Sequence, residues 1–149
     1  MAMQTSIERA ALMSRISGKD TKPELILRKA LHRLGFRYRL HDQTLPGRPD
    51  LVFKRFRAVI FVNGCFWHGH DCRHFNWPKS NAEFWHEKIS KNRERDSRNV
   101  RLLRDLGWRV FTLWECAVRR AGPGAEEMVA VEVADWLESE ESNGEMRGS

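Results

Sequence analysis

Cys65, His70 and Cys72 fall within eight residues, and Cys116 lies just past a segment of strand character. Three thiolates and one imidazole make a closed tetrahedral shell, the usual form of structural zinc, because no position is left for water. His68 and His74 offer the same donor as His70, so the spacing leaves the imidazole open among the three. The plainer reading is three buried, reduced thiols that never meet metal. Need favours zinc: the polar run from 63 to 79 has little apolar material to fix it, and a metal cross-link supplies that fixation.

Asp50 follows Pro49 and begins an apolar run, which sets a carboxylate at the rim of a sheet. Carboxylate oxygen suits Mg²⁺, and Mg²⁺ suits phosphate. An aspartate in such a place is often only a turn residue. His68 adds chemistry, since an imidazole can take a proton from an attacking water that a metal has made more acidic. Glu24 can serve as an outer carboxylate, although Thr21-Lys-Pro-Glu24 also reads as a capping box that accounts for it alone.

Aromatic residues form a third group. Phe66 and Trp67 sit between a thiol and a histidine, where two core roles are hard to arrange, so stacking on bases or wedging between base steps is the alternative. Trp85 can join them, whereas Trp108, Trp114 and Trp136 have spacings that suit the core and Trp77 has no evident role. Lys88, Lys91, Arg93, Arg95, Arg98, Arg101 and Arg104 make a dense basic series interrupted by Glu87, Glu94, Asp96 and Asp105. Ion pairs along a solvated helix account for part of it, and the remainder, Lys88 and Arg93 among them, can position a phosphate backbone.

The elements that must hold these groups follow an α/β order. Residues 5–17 read as a short helix and residues 21–34 as a clearer one, stopped by Gly35. Phe36, Tyr38 and Leu40 alternate with polar residues as a strand does, and two prolines in Leu-Pro-Gly-Arg-Pro then force a turn. Residues 50–53 and 58–62 read as a buried hairpin, 63–79 as a long functional loop, and Ser80-Asn-Ala-Glu83 as a second capping box opening a helix to Leu106. A strand over 108–114 and a helix carrying Val129, Val133, Trp136 and Leu137 complete a mixed sheet flanked by helices. This gives one domain over 1–138, with 1–20 as an N-terminal segment, and an acidic, disordered tail over 139–149.

Charge points to the partner. Residues 124–149 hold eight acids and one base, so residues 1–123 carry 25 bases against 12 acids, far more basic than the net +6 suggests. Such a body favours a polyanion, nucleic acid before anionic membrane, since no basic amphipathic helix with an unbroken apolar face is present. Three cysteines exclude a full disulfide framework, and the sequence reads as soluble and intracellular, without a spanning segment or signal peptide.

The runs Leu45-Pro-Gly-Arg-Pro-Asp50, Val62-Asn-Gly-Cys-Phe-Trp-His68, Glu83-Phe-Trp-His-Glu-Lys88 through Asp96, Gly107-Trp-Arg-Val and Trp114-Glu-Cys116 resemble the very-short-patch-repair (Vsr) DNA mismatch endonucleases over about residues 8–120. The resemblance implies a restriction-endonuclease-like fold that uses Mg²⁺ to nick one strand 5′ to the thymine of a T·G mismatch in double-stranded DNA. Position by position it implies Asp50 as the metal-binding catalytic aspartate, His68 as catalytic histidine and Glu24 as supporting acid; the Val62 carbonyl is expected to hold the metal with Asp50. It implies Cys65, His70, Cys72 and Cys116 as zinc ligands, Phe66, Trp67 and Trp85 as the wedge, and Met13 as an insertion from the other groove. A monomer, partners such as MutL, and a cytoplasmic, nucleoid-associated bacterial setting go with it.

The sequence departs from the best-known members at Asn63, where they carry a second active-site histidine. An amide can hydrogen-bond a phosphate oxygen or water there but cannot carry the proton. Two other readings remain: a sequence-specific nicking or restriction enzyme that needs no mismatch, and a zinc-stabilised mismatch-binding protein with weak or no catalysis.

Overall fold

A computed structural model describes residues 21–72, 75–119 and 124–148. The helix expected over 5–17, Met13 and His74 lie outside the described residues. Helix α1 spans Lys22–Arg33, with a proline in its first turn and Leu27, Ala30 and Leu31 buried at helical spacing. Gly35, at φ 96°, takes the left-handed turn that ends it.

Strands β1 (Arg39–Leu40), β2 (Leu51–Phe53) and β3 (Ala58–Asn63) follow, with a 3₁₀ turn at Lys54–Phe56 closing the hairpin. Helix α2 (Ala82–Asp105) then crosses over to β4 (Arg109–Trp114), and α3 (Glu115–Arg119) and α4 (Ala125–Leu137) lead to β5 (Asn143–Met146). The sheet order is β1-β2-β3-β4-β5, antiparallel through β3 and parallel from β3 to β5. The mixed sheet and the hairpin register, Leu51 opposite Ile60, agree with the apolar runs that predicted them.

Alternation divides the sheet between two cores. Phe53, Ile60 and Leu113 face Leu27 and Leu31 of α1 and Val133 and Trp136 of α4. Val52, Val59 and Val110 face Leu103 of α2, with Phe61 and Trp108 partly covered beside them.

Four expectations need correction. Neither capping box forms: Thr21 and Asn81 are the N-caps, and neither side chain caps its helix. Glu24, at i with Leu27 at i+3 and Leu31 at i+7, lies on the buried stripe of α1 and turns inward. The strand expected from Phe36 shrinks to Arg39–Leu40, because Phe36 leaves the ladder to pack edge-on against Phe53. The acidic tail is not disordered: β5 pairs with β4, Val110 opposite Asn143 through Leu113 opposite Met146.

No described helix is long and apolar enough to cross a membrane.

Candidate active site and metal centre

Parallel strands β3 and β4 end side by side, Asn63 opposite Trp114, and the chain leaves both toward the same end of the sheet. A cleft of about 1320 Å³ opens there between the sheet and α2. Crevices beyond the carboxyl ends of parallel strands are where open α/β sheets bind ligands. Asp50, Asn63 and His68 line this cleft, and Arg48, Arg95 and Arg101 give it a basic wall.

Asp50 is tied to β3 by the Val62 amide, which donates to its Oδ2 at 2.7 Å. Beside it Glu24, 1% exposed, is clamped between Arg28, whose Nη1 donates at 2.9 Å, and His41, whose Nε2 lies 2.9 and 3.0 Å from its two oxygens. Donor atoms of Glu24, His41 and Asp50 lie within 4.8 Å of one another. Burial pushes the Asp50 carboxyl up to about 7, and the Glu24 carboxylate adds to the rise against the opposing Val62 bond and His41. Two carboxylates held this close, Glu24 buried and Asp50 half-buried, are a donor pair that a divalent cation relieves, and carboxylate oxygen suits Mg²⁺.

His68 is held by α2. Its Nδ1 is hydrogen-bonded to the Asp96 carboxylate, which leaves Nε2 as the second ring nitrogen for chemistry in the cleft. Asn92 Nδ2 donates to the Trp67 carbonyl at 2.8 Å, and the Arg93 guanidinium donates to the Gly69 carbonyl. Gly69 is needed for this approach: at φ 56° a Cβ would come within 2.5 Å of the Ile89 side chain.

Three donors of the loop, Cys65, His70 and Cys72, converge with Cys116 at the start of α3. Cys65, His70, Cys72 and Cys116 are all buried, and one ligand atom from each lies within 4.8 Å of the rest. Cys116 Sγ is 3.6 Å from His70 Nδ1, close to the roughly 3.5 Å that tetrahedral geometry gives for a sulfur and a nitrogen on one zinc. Burial pushes the Cys65 thiol far above its usual range, with Cys116 and Cys72 adding to it, while burial and the Arg147 cation hold His70 below the usual imidazole value. A neutral imidazole and clustered thiols fit a metal that accepts the one and deprotonates the others. His70 also stacks flat on Trp114, centroids 3.9 Å apart at 5°. His68, the other described candidate, points to Asp96 instead.

Phe66 and Trp67 are half-buried and meet edge-on at 5.3 Å, each also against Trp85. Trp85 is 4% exposed and so lies beneath them, not at the surface where the sequence reading put it. Trp136 is core, but Trp108 and Trp114 are only half-buried. Arg93 lines the cleft; Lys88 is half-buried and outside its lining.

Sequence reasoning missed His41 and Asp96. Asp96 reads in the sequence as an interruption in a basic helix, and its position one helical turn beyond Asn92 is the available signal. His41 carried no pattern, since its role depends on a left-handed backbone at φ 49°.

A family model described as DNA mismatch endonuclease Vsr matches residues 1–74. The chain is 43% identical over 129 residues to the DNA mismatch endonuclease Vsr of Escherichia coli, covering 87% of this chain and 83% of that protein. It is 47% identical over 114 residues to the type II nicking enzyme V.XorIIP of Xanthomonas oryzae pv. oryzae, covering 76% and 84%. It is 45% identical over 115 residues to the type II nicking enzyme V.NmeAIP of Neisseria meningitidis, covering 77% and 82%.

Proposed function

The chain belongs to the family of Vsr DNA mismatch endonucleases, and from that premise we propose that this DNA endonuclease nicks one strand 5′ to the thymine of a T·G pair. Such pairs arise when 5-methylcytosine deaminates, and the nick opens very short patch repair. The observation that carries the reading is Asp50 and His68 lining one cleft together with Arg48, Arg93, Arg95 and Arg101.

Asp50 and the Val62 carbonyl would hold Mg²⁺, with the Glu24 carboxylate in support. When bound, the ion makes water more acidic and neutralises charge on the scissile phosphate. His68, oriented through Nδ1 by Asp96, takes the proton of the attacking water at Nε2. Asn63, at the end of β3, offers an amide to a phosphate oxygen or the water. Arg93 and the cleft arginines position the backbone, and Lys88, on α2 outside the cleft, adds a further phosphate contact. Phe66 and Trp67 test the base pair by stacking, braced from below by Trp85, and Met13 enters from the opposite groove. Cys65, His70, Cys72 and Cys116 would hold zinc, which would fix the loop that carries His68, Phe66 and Trp67.

A nicking assay on duplexes that differ only in T·G against T·A, run with wild type, Asp50→Ala and His68→Ala, tests this reading. Nicking of the T·G duplex by wild type alone is the expected result; equal cleavage by all three proteins would sink it. Two relatives are named type II nicking enzymes, which fits in part a second reading, a sequence-specific nicking enzyme that needs no mismatch. Perfect duplexes cut as fast as mismatched ones would select it.

A further inference from the structure

His41 follows β1 with φ 49°, a left-handed backbone that side chains rarely adopt and that costs free energy to hold. Its two ends show what the turn accomplishes. The backbone N–H donates to the Asp50 carbonyl at 3.0 Å, one bond beyond the Leu40 and Leu51 pair that closes the ladder. The imidazole leaves the ladder for α1, where Nε2 lies 2.9 and 3.0 Å from the two oxygens of Glu24. A carboxylate offers only acceptors, so Nε2 carries the proton and forks it between both oxygens. One residue thus joins the backbone of one carboxylate to the side chain of the other.

We infer that His41 is a positioning residue of the divalent-cation site: it fixes the Glu24 carboxylate against Asp50 so that both face one ion. The inference rests on the reading of Asp50 and Glu24 as that site. Nε2 is engaged with Glu24, so the carboxylates and not the imidazole supply the donors. Arg28 holds Glu24 from the other side, its Nη1 donating to Oε2 at 2.9 Å. Without His41 the Glu24 carboxylate loses the donor that spans both its oxygens, and like charge favours its turning away from Asp50.

The test uses Mn²⁺ alone as the probe, with the full chain free of DNA and unbound Mn²⁺ followed by electron paramagnetic resonance. His41→Asn suits the left-handed backbone yet is too short to keep the fork, whereas His41→Gln keeps an N–H donor at similar reach. Asp50→Ala serves as the site control. Groups that orient metal ligands typically contribute ten-fold or more to affinity, so His41→Asn should weaken Mn²⁺ binding about tenfold and His41→Gln less than about threefold. The Mg²⁺ concentration for half-maximal nicking should rise in parallel. A merely structural role would lower the melting temperature without moving the metal dependence. Equal Mn²⁺ affinity for wild type and His41→Asn, with Asp50→Ala still abolishing binding, overturns the role of His41 and leaves the cation site standing. A loss that His41→Gln shares in full also overturns it. Mn²⁺ binding that Asp50→Ala leaves untouched removes the site and the inference together.

Discussion

Nδ1 of His68 is hydrogen-bonded to the Asp96 carboxylate across 28 residues of sequence, from the loop after β3 to the middle of α2. The bond decides which ring nitrogen carries the proton and leaves Nε2 basic toward the cleft. Asp96→Asn keeps the shape of the side chain but can hold the ring in the wrong tautomer. The nicking kcat should fall about 10²- to 10⁴-fold, the range that general-base catalysis supplies, with DNA affinity little changed. Single-turnover nicking beside a binding titration separates the two, and a variant with wild-type kcat removes Asp96 from the mechanism.

The legible parts of this fold are those where one physical signal dominates. Apolar runs without alternation gave the β2–β3 hairpin, and Gly35 and Gly107, both at positive φ, mark helix ends that composition alone located. The thiols and His70 met as their chemistry suggested. Glu24 was misread because Thr-x-x-Glu matches a capping box, and the competing signal, its place on the Leu27 and Leu31 stripe, won. β5 left no trace, since Asn-Gly-Glu-Met has no strand pattern and its pairing is made by backbone groups. His41 and Asp96 act across distances of 17 and 28 residues that no local pattern spans.

The pH dependence of Asp50 follows from its burial. With the carboxyl raised from 3.8 to about 7, the neutral acid suits the metal-free fold. Its contribution to stability is therefore full below about pH 4 and is lost as pH rises through about 7. A divalent ion binds only the ionised form, so Mg²⁺ competes with the proton. The melting temperature of metal-free wild type, relative to Asp50→Asn, should fall across this window, and Mg²⁺ should recover it most at the alkaline end. A difference between the two proteins that stays constant with pH refutes the burial argument.

Metal uptake at the cysteine cluster should expel protons. Burial keeps the Cys65 thiol protonated in the metal-free chain, and ligation requires thiolates. Adding Zn²⁺ to chelator-treated protein in weak buffer near neutral pH should release about three protons per ion, one from each thiol. An indicator-dye titration reads this directly. Release of less than about one proton per ion means that the thiols are not the ligands.

Trp67 and Trp85 touch, at 5.9 Å between centroids, but should respond differently to truncation. Trp85 is buried, so Trp85→Ala should cost about 3 to 5 kcal/mol of folding stability. Half-buried Trp67 is free to stack, so Trp67→Ala should leave the melt nearly unchanged and weaken T·G duplex binding by about 1 to 3 kcal/mol. Equal losses on T·G and T·A duplexes would count against a role in testing the mismatch.

Gly144 tests whether the C-terminal segment is part of the fold. Lying on β5 opposite Phe111, it leaves no room for a side chain: a Cβ would approach Phe111 Cδ2 to 2.3 Å and Trp136 Cδ1 to 2.7 Å. Gly144→Ala should therefore destabilise the protein by about 1 to 3 kcal/mol, the usual cost of overpacking, whereas in a solvated tail it would be neutral. The effect should reach the metal loop. Beyond β5, Arg147 pairs with Asp71 at 2.8 Å, and the Gly148 amide donates to Cys116 Sγ at 3.3 Å, so displacing the strand loosens both ties to the cluster. Zinc transfer to a chromogenic chelator should then run faster in Gly144→Ala than in wild type. An unchanged melt with unchanged zinc transfer would return the segment to the solvated tail that its composition suggested.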